Sequence, residues 1–300
     1  MSKMKSFLNL FLKNPTDIVR TLGRNKVLNW IPDKTYIKLL YKNSFGKRIN
    51  LKNPKTFNEK LQWLKLYDRK TEYITYVDKY DVRSYIEKVI GNEYLVPLIG
   101  VYENVAEIPW SKLPDKFVLK CTHGCGSNII CKNKKELNVD EAKAKLNKWM
   151  KTNYYWCCRE WPYKNVSPRV ICEQYISDKE TTPDDYKVLC FSGKAKLIEV
   201  HIDRYGNHKQ DFYDLNWNKT SISQEDTKSD QVNSRPKELH KMIELSELLT
   251  KDMIHARVDW YVVDEKLYFG EITLYDGSGL HCFDNEEDDY LLGSWIRLPI

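Results

Sequence analysis

Nothing in this chain approaches a run of about 20 consecutive apolar residues, so a membrane-spanning helix is excluded on length alone. Its first residues lack the small-residue cleavage site of a secretory leader, and the expected location is the cytoplasm. Internal repeats, zinc-finger spacings and an arginine-rich arm are missing too, and no nucleic-acid partner is expected. The eight cysteines form no disulfide framework. Cys157 and Cys158 are adjacent, and Cys172 and Cys190 fall inside strand-like runs, as reduced thiols do. What is present is a globular composition, 42% hydrophobic and 30% charged, rich in aromatics with 20 Tyr and 9 Trp. Three hundred residues suit one large or two modest domains. The net charge of +6 is mild and fits an anionic ligand such as a nucleotide or a uronic-acid sugar.

The chemistry concentrates in RVDWYVVDEKLYFGEITLYDGSGL, residues 257–280. Its alternation predicts two strands, and the register depends on the turn. A three-residue loop at Asp264-Glu265-Lys266 sets Asp259 opposite Glu271 and Arg257 opposite Thr273, all four on one face. Val258, Trp260, Val262 and Ile272 then face a core. A two-residue loop separates the carboxylates, so the three-residue loop sorts polar from apolar more cleanly. Paired carboxylates beside an arginine suit Mg²⁺, which takes one or two carboxylates plus phosphate and water oxygens. Taken alone, the hairpin is equally a solvated sheet face with an Asp–Arg pair.

Other stretches bear on that choice. Met4, Phe7, Leu8 and Phe11 have helical spacing, with Lys3, Lys5 and Lys13 nearby; such a helix either docks on its own domain or makes weak peripheral membrane contact. Residues 33–69 read as helical with a break at Asn53-Pro54, and Thr56 with Glu59 forms a capping-box pattern. A helix is expected from Asp78 to near Gly91, and a buried strand over 95–101. The strand Phe117–Lys120 runs into the small-residue loop CTHGCGSN, residues 121–128, and a second strand. Backbone N–H groups of such a loop, with a strand lysine, can cradle phosphates. Cys121, His123 and Cys125 lack a second Cys/His pair to complete a metal site. The aromatics Tyr154, Tyr155, Trp156 and Trp161 form either core or a wall for ring stacking. Glu173, inside an apolar strand, requires a donor such as a lysine or an adenine amino group. Residues 185–202 read as a hairpin that sends Lys187 inward, and Leu239, Met242, Ile243 and Leu249 mark a packed helix.

In order along the chain, NPKTFNEKLQWLKLYDR, VDKYDVRSYI, FVLKCTHGCGSNII, DYKVLCFSGK, QDFYDLNW and RVDWY…FGEITL…SGL resemble the TupA-like (teichuronopeptide-biosynthesis) branch of the ATP-grasp family. The resemblance covers most of residues 33–290. It implies an α+β ATP-grasp fold, two lobes sandwiching ATP, preceded by a mostly helical N-terminal region. The implied division is a basic amphipathic segment 1–32, an N-terminal domain 33–115 and an ATP-grasp domain 116–297, whose nucleotide and metal lobes meet near 182–183. By the same resemblance Lys79 and Lys120 hold ATP phosphates, and His123, Gly124, Gly126, Ser127 and Asn128 close over them. Glu173, Tyr175 and Ile176 read adenine, and Lys187 lies near the nucleotide. Asp259 and Glu271 bind Mg²⁺, two ions in all, and Arg257 acts with Lys120 on the transferring phosphate. Thr273 stands where a third metal ligand is often Asn.

The implied activity is ATP-dependent amide formation through an acyl phosphate, joining an amine to a sugar acid of a surface polysaccharide such as a capsule. Two other readings stay open: a glycosyltransferase whose acidic pair holds a nucleotide-sugar's metal, and an ATP-binding module without turnover.

Overall fold

The computed structural model describes residues 15–177, 185–202, 209–224, 228–229 and 232–300. Met4, Phe7, Leu8 and Phe11, considered above for an interfacial helix, lie outside the described residues. Two antiparallel sheets organise the rest. β1 (Leu98–Tyr102), β2 (Phe117–Cys121), β3 (Asn128–Cys131) and β4 (Val170–Gln174) form the first, in the order β1-β4-β2-β3. β5 (Asp185–Phe191), β6 (Lys194–Ile202), β7 (Lys209–Tyr213), β8 (His255–Val263) and β9 (Lys266–Thr273) form the second, in the order β7-β6-β5-β8-β9. Nine helices among the described residues cover them: α1 (Pro15–Arg24), α2 (Asp33–Phe45), α3 (Phe57–Tyr67), α4 (Tyr73–Val77), α5 (Val82–Val89), α6 (Val139–Met150), α7 (Tyr155–Cys158), α8 (Leu239–Leu249) and α9 (Glu286–Trp295). This is an α+β architecture, as the sequence leads one to expect.

In the first sheet β2 alternates buried Phe117, Leu119 and Cys121 with the partly exposed Val118 and Lys120, so Lys120 leaves the sheet on the face away from the core. β1 departs from expectation. It is an edge strand, not a buried one, because only β4 flanks it, and Leu98 and Ile99 remain exposed. β1 belongs to residues 33–115, so that stretch contributes a strand to the same sheet as Lys120.

The second sheet is sided. Val188, Val258, Trp260 and Ile272 are buried, and Trp260 Nε1 donates to Ser246 Oγ of α8 at 2.9 Å. Leu239, Met242, Leu245 and Leu249 of α8 complete this layer. Burying each such side chain contributes about 1.5–3 kcal/mol, which fixes which face of β5 and β8 is left for polar residues.

The β8–β9 hairpin corrects the expected turn while preserving its consequence. Val263 pairs with Lys266, so the loop is the two residues Asp264-Glu265, both at positive φ (49° and 60°). That is the twist a two-residue hairpin turn requires. The pairing then shifts between Asp259 and Trp260, where Gly270 is an extra residue on β9. Beyond this bulge Asp259 pairs with Glu271 and Arg257 with Thr273. Glycine suits the bulge, because a Cβ there would lie 3.1 Å from the Asp259 carbonyl oxygen and 3.3 Å from its Cβ.

The capping box of α3 is present: Glu59 N–H donates to Thr56 Oγ1 at 3.2 Å, and the Glu59 carboxylate accepts from the Thr56 N–H at 3.4 Å. From this helix Gln62 Nε2 donates to the carbonyls of Ser278 and Gly279 at 2.9 and 2.7 Å, and Lys65 Nζ to that of Ser278 at 2.6 Å. These bonds hold the loop after β9 against the polar face of the second sheet.

Candidate active site

Antiparallel pairing sets one residue from each of four strands into a row: Glu199 (β6), Lys187 (β5), Asp259 (β8) and Glu271 (β9). Residues paired across strands share a face, so the row is a charged line across the sheet. Lys187 Nζ hydrogen-bonds Asp259 and lies 2.9 Å from Asp185 Oδ2. Arg257 grips Asp259 with two nitrogens, Nε to Oδ1 at 2.8 Å and Nη2 to Oδ2 at 2.9 Å. Its Nη1 donates to Asp276, and Nη2 reaches Thr273 Oγ1 at 3.4 Å. The bidentate geometry is the strong form of an Arg–carboxylate pair.

Protonation follows from this crowding. Burial and Arg257 push the Lys187 ammonium down, but the surrounding carboxylates, Asp259, Asp185 and Glu199 among them, together outweigh these and hold it charged. Burial opposes ionisation of Glu199, yet His201, Arg257 and Lys187 keep it well below the usual carboxylate range. Burial, the largest influence, works against ionisation of Glu271, but Lys79, 3.2 Å away, together with Lys187 and Arg257 holds it below the usual carboxylate range. Around Arg257, Lys187 and Lys79 stand five carboxylates: Asp185, Glu199, Asp259, Glu271 and Asp276. The excess negative charge, carried on hard oxygen atoms, suits a divalent cation such as Mg²⁺. Among the described residues no three His, Cys, Asp or Glu side chains converge as a ready cage. A fit therefore depends on carboxylates supplemented by phosphate oxygens. Glu271, with 31% of its side chain exposed, is the more accessible; Asp259 is 4% exposed and already shared by Arg257 and Lys187.

Lys79, in the turn between α4 and α5, and Lys120 of the first sheet lie across from this row. Lys79 Nζ donates to the Gly124 carbonyl at 2.8 Å while contacting Glu271, so it ties the small-residue loop to the acidic strand. Lys120 Nζ lies 2.7 Å from Glu173 Oε2, and Arg83 Nη1 is 3.0 Å from Oε1. Glu173 thus has the cationic partner its burial demands. The gap lined by Lys79, Arg83, Lys120, Glu173, Phe269 and Gly270 is narrow, about 10 Å³. A wider opening of about 550 Å³, walled by Tyr80, Asn92, Pro97 and Lys266, shares Arg83 and Leu95 with this gap.

Lys79, Gly124, Lys120, Glu173, Lys187, Arg257, Asp259, Glu271 and Thr273 are thus brought into one neighbourhood. His123 is not. It is buried, its Nε2 is 3.1 Å from the Trp149 carbonyl, and burial lowers its pKa. Gly126 sits at φ 72°, the Ser127 carbonyl accepts from the Cys121 N–H at 3.0 Å, and Asn128 pairs with Lys120. These shape the loop's backbone. Tyr175 and Ile176 follow the end of β4, partly buried. Thr273 offers its hydroxyl to Arg257.

Sequence reasoning missed Arg83, Asp185, Glu199 and Asp276. Glu199 was detectable, since strand alternation in KAKLIEVHI sets it on the polar face once paired with Lys187. Asp276 was not, because its contact with Arg257 depends on the loop held by α3.

On the polar face a cavity of about 440 Å³ reaches Arg257, Glu271 and Thr273. Tyr154, Tyr163 and Tyr275 contribute its aromatic wall. Buried Glu160, bonded by the Ser278 hydroxyl, is pushed up by burial to about 7 despite nearby Lys65.

A family model described as TupA-like ATPgrasp matches residues 59–297. The curated protein sequences contain no match. Among solved structures the chain is similar to a D-alanine–D-alanine ligase from Bacillus anthracis complexed with ATP, at 17% identity, covering 67% of this chain and 54% of that one, with a TM-score of 0.39. It is also similar to an L-amino acid ligase from Bacillus licheniformis, at 14% identity over 84% of this chain and 56% of that one, with a TM-score of 0.44. The chain spans little more than half the length of either.

Proposed function

The chain belongs to the TupA-like ATP-grasp family, and from that premise we propose that it is an ATP-dependent carboxylate–amine ligase working through an acyl phosphate. The observation that carries this reading is Lys79, which bridges the Gly124 carbonyl of the loop and Glu271 of the acidic strand. That contact joins a phosphate-cradling element to a metal-binding one, the pairing phosphoryl transfer needs.

In this reading Lys79 and Lys120 neutralise the ATP phosphates. Glu271 and Asp259 hold Mg²⁺, with the Thr273 hydroxyl as a weaker third donor. When bound, the metal supplies charge neutralisation at the transferring phosphoryl group. Arg257, fixed by Asp259 and Asp276, presents a rigid positive charge beside the reacting carboxylate. A carboxylate oxygen takes the γ-phosphoryl group and ADP departs. The amine then attacks the carbonyl carbon, and phosphate leaves with that oxygen as the nitrogen loses a proton. No side-chain nucleophile is required.

The family resemblance supports a sugar acid of a surface polysaccharide as the carboxylate and an amino acid or other amine as its partner. The tyrosine-rich cavity supports a ring-shaped substrate. Free cysteines throughout support a cytoplasmic setting. No helix among the described residues is long and apolar enough to cross a membrane. A phosphate-release screen crossing uronic acids and their nucleotide conjugates with amino acids and amines tests the reading. ADP and phosphate should appear only when both substrates are present. Release of the nucleoside diphosphate from a sugar nucleotide would indicate a glycosyltransferase. ATP binding with no turnover across the panel would indicate a binding module.

A further inference from the structure

The wall of the 440 Å³ cavity includes two arginines that the ligase chemistry does not use, Arg20 and Arg24 of α1. Both precede residue 59, where the family match begins. They are one turn apart on one helix face, and like charges at that spacing repel. Arg20 Nη1 reaches Asp17 of its own helix at 3.5 Å, and the Asp17 side chain is 61% exposed. The buried Arg20 Nε has no hydrogen-bond partner among the described residues. Arg24 Nη2 donates to Cys157 Sγ at 3.5 Å.

Their position is fixed. Tyr36 hydroxyl lies 2.9 Å from the carbonyls of both Val19 in α1 and Cys157 in α7. Gly23 lets the two helices approach so closely that an added Cβ would meet Tyr36 Oη at 2.1 Å and the Trp156 carbonyl oxygen at 2.4 Å. The Cys157 thiol is drawn down, first by its hydrogen bond with Cys158 and, against burial, by Arg24 and Arg20.

Resting on the ligase reading, we propose that the carboxylate substrate carries a second anionic group, held by Arg20 and Arg24 while its reacting carboxylate lies beside Arg257 and Glu271. The intervening tyrosine wall packs against the body of the molecule. The shared chemistry is a carboxylate at one end and a second carboxylate or a phosphate at the other.

Three compounds of one carbon skeleton separate the possibilities: D-glucuronate with one anion, D-glucarate with two carboxylates, and D-glucuronate 1-phosphate. Their binding to the full chain, loaded with Mg²⁺ and a non-hydrolysable ATP analogue, is measured by calorimetry. One or both dianions should bind at least about tenfold tighter than glucuronate, the scale of a charge-assisted hydrogen bond. A gain for glucarate identifies a carboxylate site, and a gain for the 1-phosphate alone identifies a phosphate site. In the Arg20→Gln/Arg24→Gln variant the dianion and monoanion affinities should converge. Arg20→Lys/Arg24→Lys, which keeps the charge, should retain part of the difference. Equal affinities in the parent protein, no binding by either dianion, or a preference that survives the double Gln change would overturn the proposal. Phosphate release with hydroxylamine as the amine is recorded in parallel. A dianion preference in binding with no phosphate released from any compound upholds the anion site and removes the ligase reading.

Discussion

Asp259 and Glu271 stand side by side on the sheet and should respond differently to neutralisation. Asp259 is enclosed by Arg257 and Lys187, which keep Asp276 and Asp185 as partners. Asp259→Asn therefore weakens two buried ion pairs without stranding either cation and should lower stability by about 1.5–3 kcal/mol, the scale of a hydrogen bond to a charged group. Glu271, partly exposed, is the cleaner probe. Glu271→Gln should keep the melting temperature within a few degrees, as partly exposed substitutions usually do, while turnover falls by more than about a hundredfold. Near-normal turnover in Mg²⁺ would remove Glu271 from the site. His255 sets an acid limit. Burial against Phe57 and Phe191 lowers its pKa from 6.5 to about 3. The unfolded chain therefore binds the proton first, and stability should fall as pH drops from 6.5 towards 3, by at most about 1.4 kcal/mol per unit. Urea midpoints across that range should decline less steeply in His255→Gln; identical slopes would remove the group from the account. At this scale much was legible. Period-two alternation and the family phrases brought out Lys187, Asp259 and Glu271, whereas Arg83 and Asp276 depend on contacts across 90 and 19 residues that no local pattern records.

Among the elements, the β8–β9 hairpin is the most instructive. The sequence carried the correct pairing of Asp259 with Glu271 but the wrong device for it, since a bulge and a three-residue loop shift register by the same one residue. Gly270 is that bulge and also lines the narrow gap beside Lys120 and Glu173. Gly270→Val should therefore crowd Asp259 and reduce nucleotide affinity by more than about tenfold, the scale of a side chain forced into a packed position. Calorimetric titration with an ATP analogue checks this, and unchanged affinity would contradict the assignment of that gap. The capping box of α3 and the apolar spacing of α8 were legible because both are local. The exposure of β1 was not, because a strand's place at an edge depends on sheet order.

At the scale of the whole molecule, the two sheets meet across that gap of about 10 Å³, with Glu173 held between Arg83 and Lys120. In the proposed reading, ATP enters this gap by parting the sheets or drawing those side chains away from Glu173. The loop 124–128, tied to the second sheet through Lys79, should respond to that rearrangement. Proteolysis near this loop should slow when an ATP analogue and Mg²⁺ bind, and the protection should be lost in Lys79→Ala; nicking unaffected by saturating nucleotide would contradict a loop that closes on phosphates. The fold class was legible in the family phrases, while this closed arrangement and the arginine-bearing cavity wall required three dimensions. The central claim, an acyl phosphate, is tested most directly by isotope transfer. With ¹⁸O in the substrate carboxylate, the account predicts ADP and one labelled oxygen in the released phosphate, dependent on the amine. AMP with pyrophosphate, or ADP with unlabelled phosphate, would contradict it.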